Sequence, residues 1–213
     1  MNEIVKNYQN IKSSINNSNV NIIAISKTFS FNIIKPLVNY GHNHFGENKV
    51  QEAIFKWSEI KNKNSNLQLH MVGKLQTNKA KEAVKLFDYI HSVDSKKLAS
   101  ELAKHETILN KKNKYFIQVN IGNEKQKSGI HLDQLLDLCK FCKSNSLNVI
   151  GLMCIPPNDN NSKKYFKELS KLNNELNFNQ ISMGMSSDYL DAVKCGSTFV
   201  RVGSAIFGNR FVK

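Results

Sequence analysis

Apolar residues along this chain fall into two patterns: short continuous runs, and longer stretches in which they recur every three or four positions. The runs read as strands buried on both faces, as in parallel sheets, and the spaced stretches as amphipathic helices. Ile4, Val5, Tyr8, Ile11 and Ile15 predict a helix within 1–17, ahead of the first run, Ile22-Ile23-Ala24-Ile25. Strands are expected at 22–25, 44–48, 67–72, 89–93, 115–121, 149–155, 181–185 and 199–203. Helices are expected between them at 31–40, 50–61, 77–87, 95–110, 132–144, 162–177 and 187–195. Gly41 ends the second helix, Ser95 serves as an N-cap and Pro156-Pro157 stops the sixth strand.

Strand and helix alternate eight times, which predicts an α/β fold: a (β/α)8 TIM barrel with an extra N-terminal helix. A doubly wound open sheet is the alternative, because alternation does not show closure. No linker, repeat or low-complexity segment divides the chain, so residues 1–213 are expected to form one domain.

Composition narrows the class. No apolar run approaches the roughly 20 residues needed to span a bilayer. The polar start over 1–9 lacks a signal peptide's apolar core, so no membrane role and a cytoplasmic location are expected. Cys139 and Cys142 form a C-x-x-C pair that could serve redox or metal chemistry. They also continue a helical stripe with Leu132, Leu135 and Leu136, so the favoured reading is a buried helix face. The net charge of +13 raises nucleic-acid binding. Arginines, the usual choice for bidentate base contacts, number only two, Arg201 and Arg210, and the lysines are scattered. No specific nucleic-acid role is expected.

Candidate chemistry sits at strand ends, where α/β proteins place their active sites. Lys27 follows the first strand, positioned to attack a carbonyl and form a Schiff base; on that stretch alone a solvated lysine is the plainer reading. The seventh strand runs into Ser182-Met183-Gly184-Met185-Ser186-Ser187-Asp188, and the eighth into Arg201-Val202-Gly203-Ser204. Small residues at both helix starts, side by side, make a phosphate cradle. In a closed barrel, strands one and eight adjoin. A carbonyl-seeking lysine beside a phosphate cradle then points to pyridoxal 5′-phosphate, with Arg201 facing its ring.

Residues 24–28 (Ala-Ile-Ser-Lys-Thr), Phe45-Gly46-Glu47-Asn48, His70-Met71-Val72-Gly73, Lys127-Ser128-Gly129, Ser182 to Ser186, and Arg201 to Gly208 with Arg210 resemble the pyridoxal phosphate homeostasis proteins. That family consists of barrel-only relatives of the N-terminal domain of alanine racemase. The resemblance runs in order over nearly the whole chain. It implies that Lys27 carries the Schiff base, that Ser186, Gly203 and Ser204 hold the phosphate, that Arg201 faces the pyridine nitrogen, and that Asn48 and Met183 line the ring pocket. The departures are small: Leu69 stands where an aromatic is frequent, and the region 158–177 is lean.

The function so implied is intracellular homeostasis of pyridoxal 5′-phosphate: storage and delivery to apoenzymes without substantial catalysis. A monomer is expected, because the sequence shows no second domain with which to build a shared site. The alternative is an amino-acid racemase, which needs a base on each face of the substrate. Alanine racemases take their second base from a C-terminal domain, and the chain's close at Lys213 favours the carrier. His42 and His44 are read as structural. The lysines at 74, 79, 81 and 85 are read mainly as a solvated face, with the resemblance suggesting a secondary docking place.

Overall fold

The computed structural model describes residues 2–208; Arg210 and Lys213 lie outside them. Eight strands alternate with helices: α1 (Glu3–Ile15), β1 (Asn21–Ile25), α2 (Phe31–Asn39), β2 (His44–Glu47), α3 (Val50–Lys63), β3 (Gln68–Met71), α4 (Ala80–Leu86), β4 (Tyr89–Val93) and α5 (Lys96–Leu109). The second half continues with β5 (Lys114–Val119), α6 (Leu132–Ser144), β6 (Val149–Cys154), α7 (Ser162–Glu175), β7 (Gln180–Met185), α8 (Tyr189–Lys194), β8 (Phe199–Val202) and α9 (Ser204–Phe207). The strands pair in parallel in sequence order, and β8 returns to β1 with Ile23 opposite Arg201, so the sheet is a closed barrel rather than an open one. Among the described residues no helix is long and apolar enough to cross a membrane.

Local chemistry sets the element ends. Asn2 caps α1, its side chain accepting from the Ile4 amide, and Ser95 caps α5 through the Leu98 amide. Asn16 and Asn110 take left-handed backbone at the C-caps of the same two helices. The helix expected from 77 begins as a single 3-10 turn, Thr77–Lys79, and becomes α-helical only at Ala80. Strand five stops at Val119. Asn120 then turns away, its side chain bonding the Glu124 amide and carbonyl, and a loop returns to bridge Val119 with Ile130.

Period-two alternation divides the strand residues between two cores. Phe45, Leu69, Ile90, Leu152 and Val200 point outward into a layer under the helices, where Trp57, Leu98 and Phe166 are fully or almost fully buried. Ile23, Ile25, Tyr89, Phe116, Met153 and Phe199 fill the barrel interior. The α6 stripe differs from expectation: Leu135, Leu138 and Cys142 are buried, whereas Leu132 and Leu136 are 42% and 52% exposed. An i, i+3, i+4 pattern on seven closely spaced apolar residues fits two adjacent stripes, and packing on β5 and β6 selects the one through Leu138. Burial pushes the thiols of Cys139 and Cys142 up to about 11 and about 12, as suits small hydrophobes.

Candidate functional site

At the carboxyl ends of the strands a cavity of about 440 Å³ is lined by Lys27, Asn48, Ser186, Arg201, Gly203 and Ser204, with Ile25, Val72, Gly73, Ile155, Met185 and Ser187 completing the wall. Six of the seven residues expected at the site from sequence thus meet in one place. Clefts of about 530 and 610 Å³ open elsewhere, but the first is lined mainly from α3 and α4 with no arginine among its lining residues, and the second is the neighbouring groove of Lys49, Lys74 and Lys79 that shares Asn48 and Gly73. Lys85 lines the first, so the basic segment is split between surfaces.

Lys27 rides on a turn built to display it. The Ser26 carbonyl accepts from the Phe29 amide, and Thr28 has φ of 70°, a conformation that β-branched residues rarely take. Glu52 stabilises the turn by accepting from the Thr28 amide at 2.6 Å. Partial burial works against the charge on Glu52, but the Thr28 amide and Lys56 together hold its carboxyl below the usual range. Behind the turn Lys56 Nζ donates to the Ser26 carbonyl and to Glu47, and Glu47 Oε1 also accepts from Ser26 Oγ and Trp57 Nε1. These supporting residues were not singled out from sequence; the signal was a charged residue, Glu47, inside a strand that must be buried.

Opposite Lys27, Ser186 Oγ accepts from the amides of Gly203 and Ala205 at 3.2 and 3.5 Å, tying the β7 and β8 loops together. Asp188 holds its side of the arrangement by accepting from the Met185 amide. Arg201 is buried at the end of β8, with Nη1 donating to Ser182 Oγ and Nη2 to the Cys154 carbonyl, both at 2.8 Å. Burial weighs against its charge, yet a guanidinium keeps its proton at any working pH. Asn48 Oδ1 is buried at the cavity wall and has no hydrogen-bond partner among the described residues. It is pressed there by Gly73, where an added Cβ would come within 2.4 Å of the Asn48 carbonyl oxygen.

Met183 is the exception. Its side chain is fully buried in the outer layer, and Met185 lines the cavity instead. The cause is a bulge: three steps along β7, from Ser182 to Met185, match two along β8, from Phe199 to Arg201, around Gly184 at φ of 92°. The extra residue shifts the alternation and re-aims Met185 towards the mouth.

Comparison with known proteins agrees with this geometry. The sequence pattern of the family described as "Alanine racemase, N-terminal domain" matches residues 1–210. A Pasteurella multocida protein named "Pyridoxal phosphate homeostasis protein" is 37% identical over 204 residues, spanning 91% of this chain and 88% of the relative. A Haemophilus influenzae protein of the same name is 35% identical over 206 residues, spanning 92% and 87%. The solved structure of PipY from Synechococcus elongatus with PLP bound superposes with a TM-score of 0.88 at 34% identity, over 96% of this chain and 100% of that one.

Proposed function

We propose that this chain, which belongs to the alanine racemase N-terminal domain family and within it to the pyridoxal phosphate homeostasis proteins, binds pyridoxal 5′-phosphate at the barrel mouth and holds it reversibly for delivery. One observation carries the reading: an amine, a fixed guanidinium and a paired-loop serine cluster share a single cavity. When bound, the cofactor supplies a reactive aldehyde, a ring nitrogen and a phosphate.

The residues present fit that group. Lys27 supplies the amine that anchors the aldehyde covalently. Ser186, Gly203 and Ser204 offer hydroxyls and backbone amides to the phosphate. Asn48 contributes its unpartnered Oδ1 to the ring pocket, and Met185 takes the place expected for Met183. Arg201, tied down at both Nη atoms, is a permanent cation; beside a ring nitrogen it disfavours protonation there. The ring is then a poor electron sink, which suits storage and not carbanion chemistry. Racemisation needs a base on each face, and among the lining residues Lys27 is joined by no Tyr, His, Cys, Asp or Glu. The protein acts as a cytoplasmic, monomeric single-domain carrier with apoenzymes as recipients.

Titrating the purified protein with pyridoxal 5′-phosphate, and then supplying amino acids, tests the reading. A saturable visible band, slow or no racemisation and transfer of the cofactor to an apoenzyme are expected. No saturable band would end the reading, and rapid racemisation would replace the carrier with an enzyme.

A further inference from the structure

A hydrogen-bonded chain runs through the barrel interior from the mouth to the base. Arg201 Nη1 donates to Ser182 Oγ at 2.8 Å, and Ser182 Oγ lies 3.0 Å from His91 Nδ1. His91 Nε2 lies 2.9 Å from His70 Nδ1, and His70 Nε2 lies 2.9 Å from His44 Nδ1. The chain steps across five strands, β8, β7, β4, β3 and β2. His91 stacks on Phe116 and His70 on Tyr89, with ring centroids 4.4 and 4.3 Å apart, so neither imidazole is free to turn. At the base His44 lines a cleft of about 520 Å³.

Burial keeps the rings of His70 and His91 uncharged at neutral pH. A neutral imidazole donates through one nitrogen and accepts through the other, so the chain has two possible senses. Arginine only donates. Ser182 Oγ, accepting from Arg201, keeps one O–H to place, and among the described residues its other partner is His91 Nδ1. Were His91 to donate to Ser182 instead, a fully buried hydroxyl hydrogen would be left without an acceptor, a costly arrangement. The favoured sense therefore runs away from Arg201. Ser182 donates to His91 Nδ1, His91 Nε2 to His70 Nδ1 and His70 Nε2 to His44 Nδ1, leaving the His44 proton on Nε2.

We propose that Ser182, His91, His70 and His44 are positioning residues for Arg201, a chain of Nε2–H imidazoles that keeps Ser182 Oγ an acceptor towards the guanidinium and so locks the cation at the cavity wall. The functional consequence rests on the reading that this cavity takes pyridoxal 5′-phosphate. With Nη2 tied to the Cys154 carbonyl, Arg201 has one anchor of backbone and one on a serine whose hydroxyl hydrogen is directed away from it by the acceptor His91 Nδ1. The histidines never touch the ligand; they act through the arginine.

Nitrogen-15 NMR of the imidazole rings in the ligand-free protein at neutral pH reads the chain without any cofactor. Each of His44, His70 and His91 is expected in the Nε2–H form, and Nδ1–H at His91 would overturn the proposal. The role at Arg201 is read by adding pyridoxal 5′-phosphate to two variants. His91→Leu removes the acceptor and is expected to weaken binding about tenfold and shift the visible band. His91→Asn, whose Oδ1 can stand near the lost Nδ1 and accept from Ser182, restores the band and most of the affinity. Equal losses in both variants, or in neither, would reduce the chain to packing. Absence of binding by the unaltered protein would instead strike the reading of the cavity, and the ring tautomers would still decide the chain.

Discussion

On the outer side of the barrel wall, Phe45, Leu69, Ile90 and Val200 pack into an apolar layer beneath the helices. On the inner side, their immediate neighbours His44, His70, His91 and Arg201 form a polar chain among Phe116, Tyr89 and Phe199. One residue's displacement along a strand separates a site where size and hydrophobicity suffice from one where a particular donor or acceptor is needed. The outer layer makes the barrel. The inner chain connects its two ends and fixes the arginine at the mouth, and the price is burial of groups that prefer water.

Acid is expected to act first on the inner chain, with His42 just outside it adding to the effect. Burial lowers His42 to about 3 and His44 to about 4 and puts His70 and His91 well below their ordinary value of 6.5. The folded state therefore refuses protons that the unfolded chain accepts below pH 6.5. Stability is complete above 6.5 and falls as pH drops towards 4, with a slope of up to four protons, about 5 kcal/mol per pH unit. Denaturant melts across that range measure it; a flat profile would mean that the histidines are not held neutral.

Truncation tests the outer side. Trp57, fully buried on α3, fills the layer against Phe45 and donates to Glu47. Trp57→Ala is expected to cost about 3–5 kcal/mol in equilibrium unfolding. The smallest effects separate the two sides on one strand. Met183→Ala should cost about 2–5 kcal/mol of stability and leave cofactor affinity unchanged. Met185→Ala should cost less than about 0.5 kcal/mol and weaken cofactor binding. Unfolding curves paired with absorbance titrations distinguish the two.

The outer layer was the legible part of the chain. Strands such as 22–25 and 115–121, the second of which ends two residues early at Val119, read directly because parallel strands buried on both faces are continuous apolar runs. Lys27 and Arg201 were legible as candidates because strand ends carry chemistry in such folds, and with the barrel closed both line one cavity. The inner chain was not legible. His44, His70 and His91 lie on three neighbouring strands, and only the parallel register of those strands brings facing ring nitrogens to 2.9 Å. The family resemblance placed Met183 in the ring pocket, and nothing in the local sequence signals the bulge at Gly184 that brings Met185 to the cavity wall. Leu132 and Leu136 fitted a buried stripe as well as their neighbours did, and only the packing on the sheet separates them.

Lys27 as the covalent anchor of pyridoxal 5′-phosphate is the claim on which the functional account depends. Borohydride reduction of the loaded protein, followed by peptide mass mapping, tests it most directly. Loss of the visible band and a single pyridoxyl group on Lys27 are expected. A label on Lys74, Lys79 or other lysines with Lys27 unmodified, or no label at all, would contradict it.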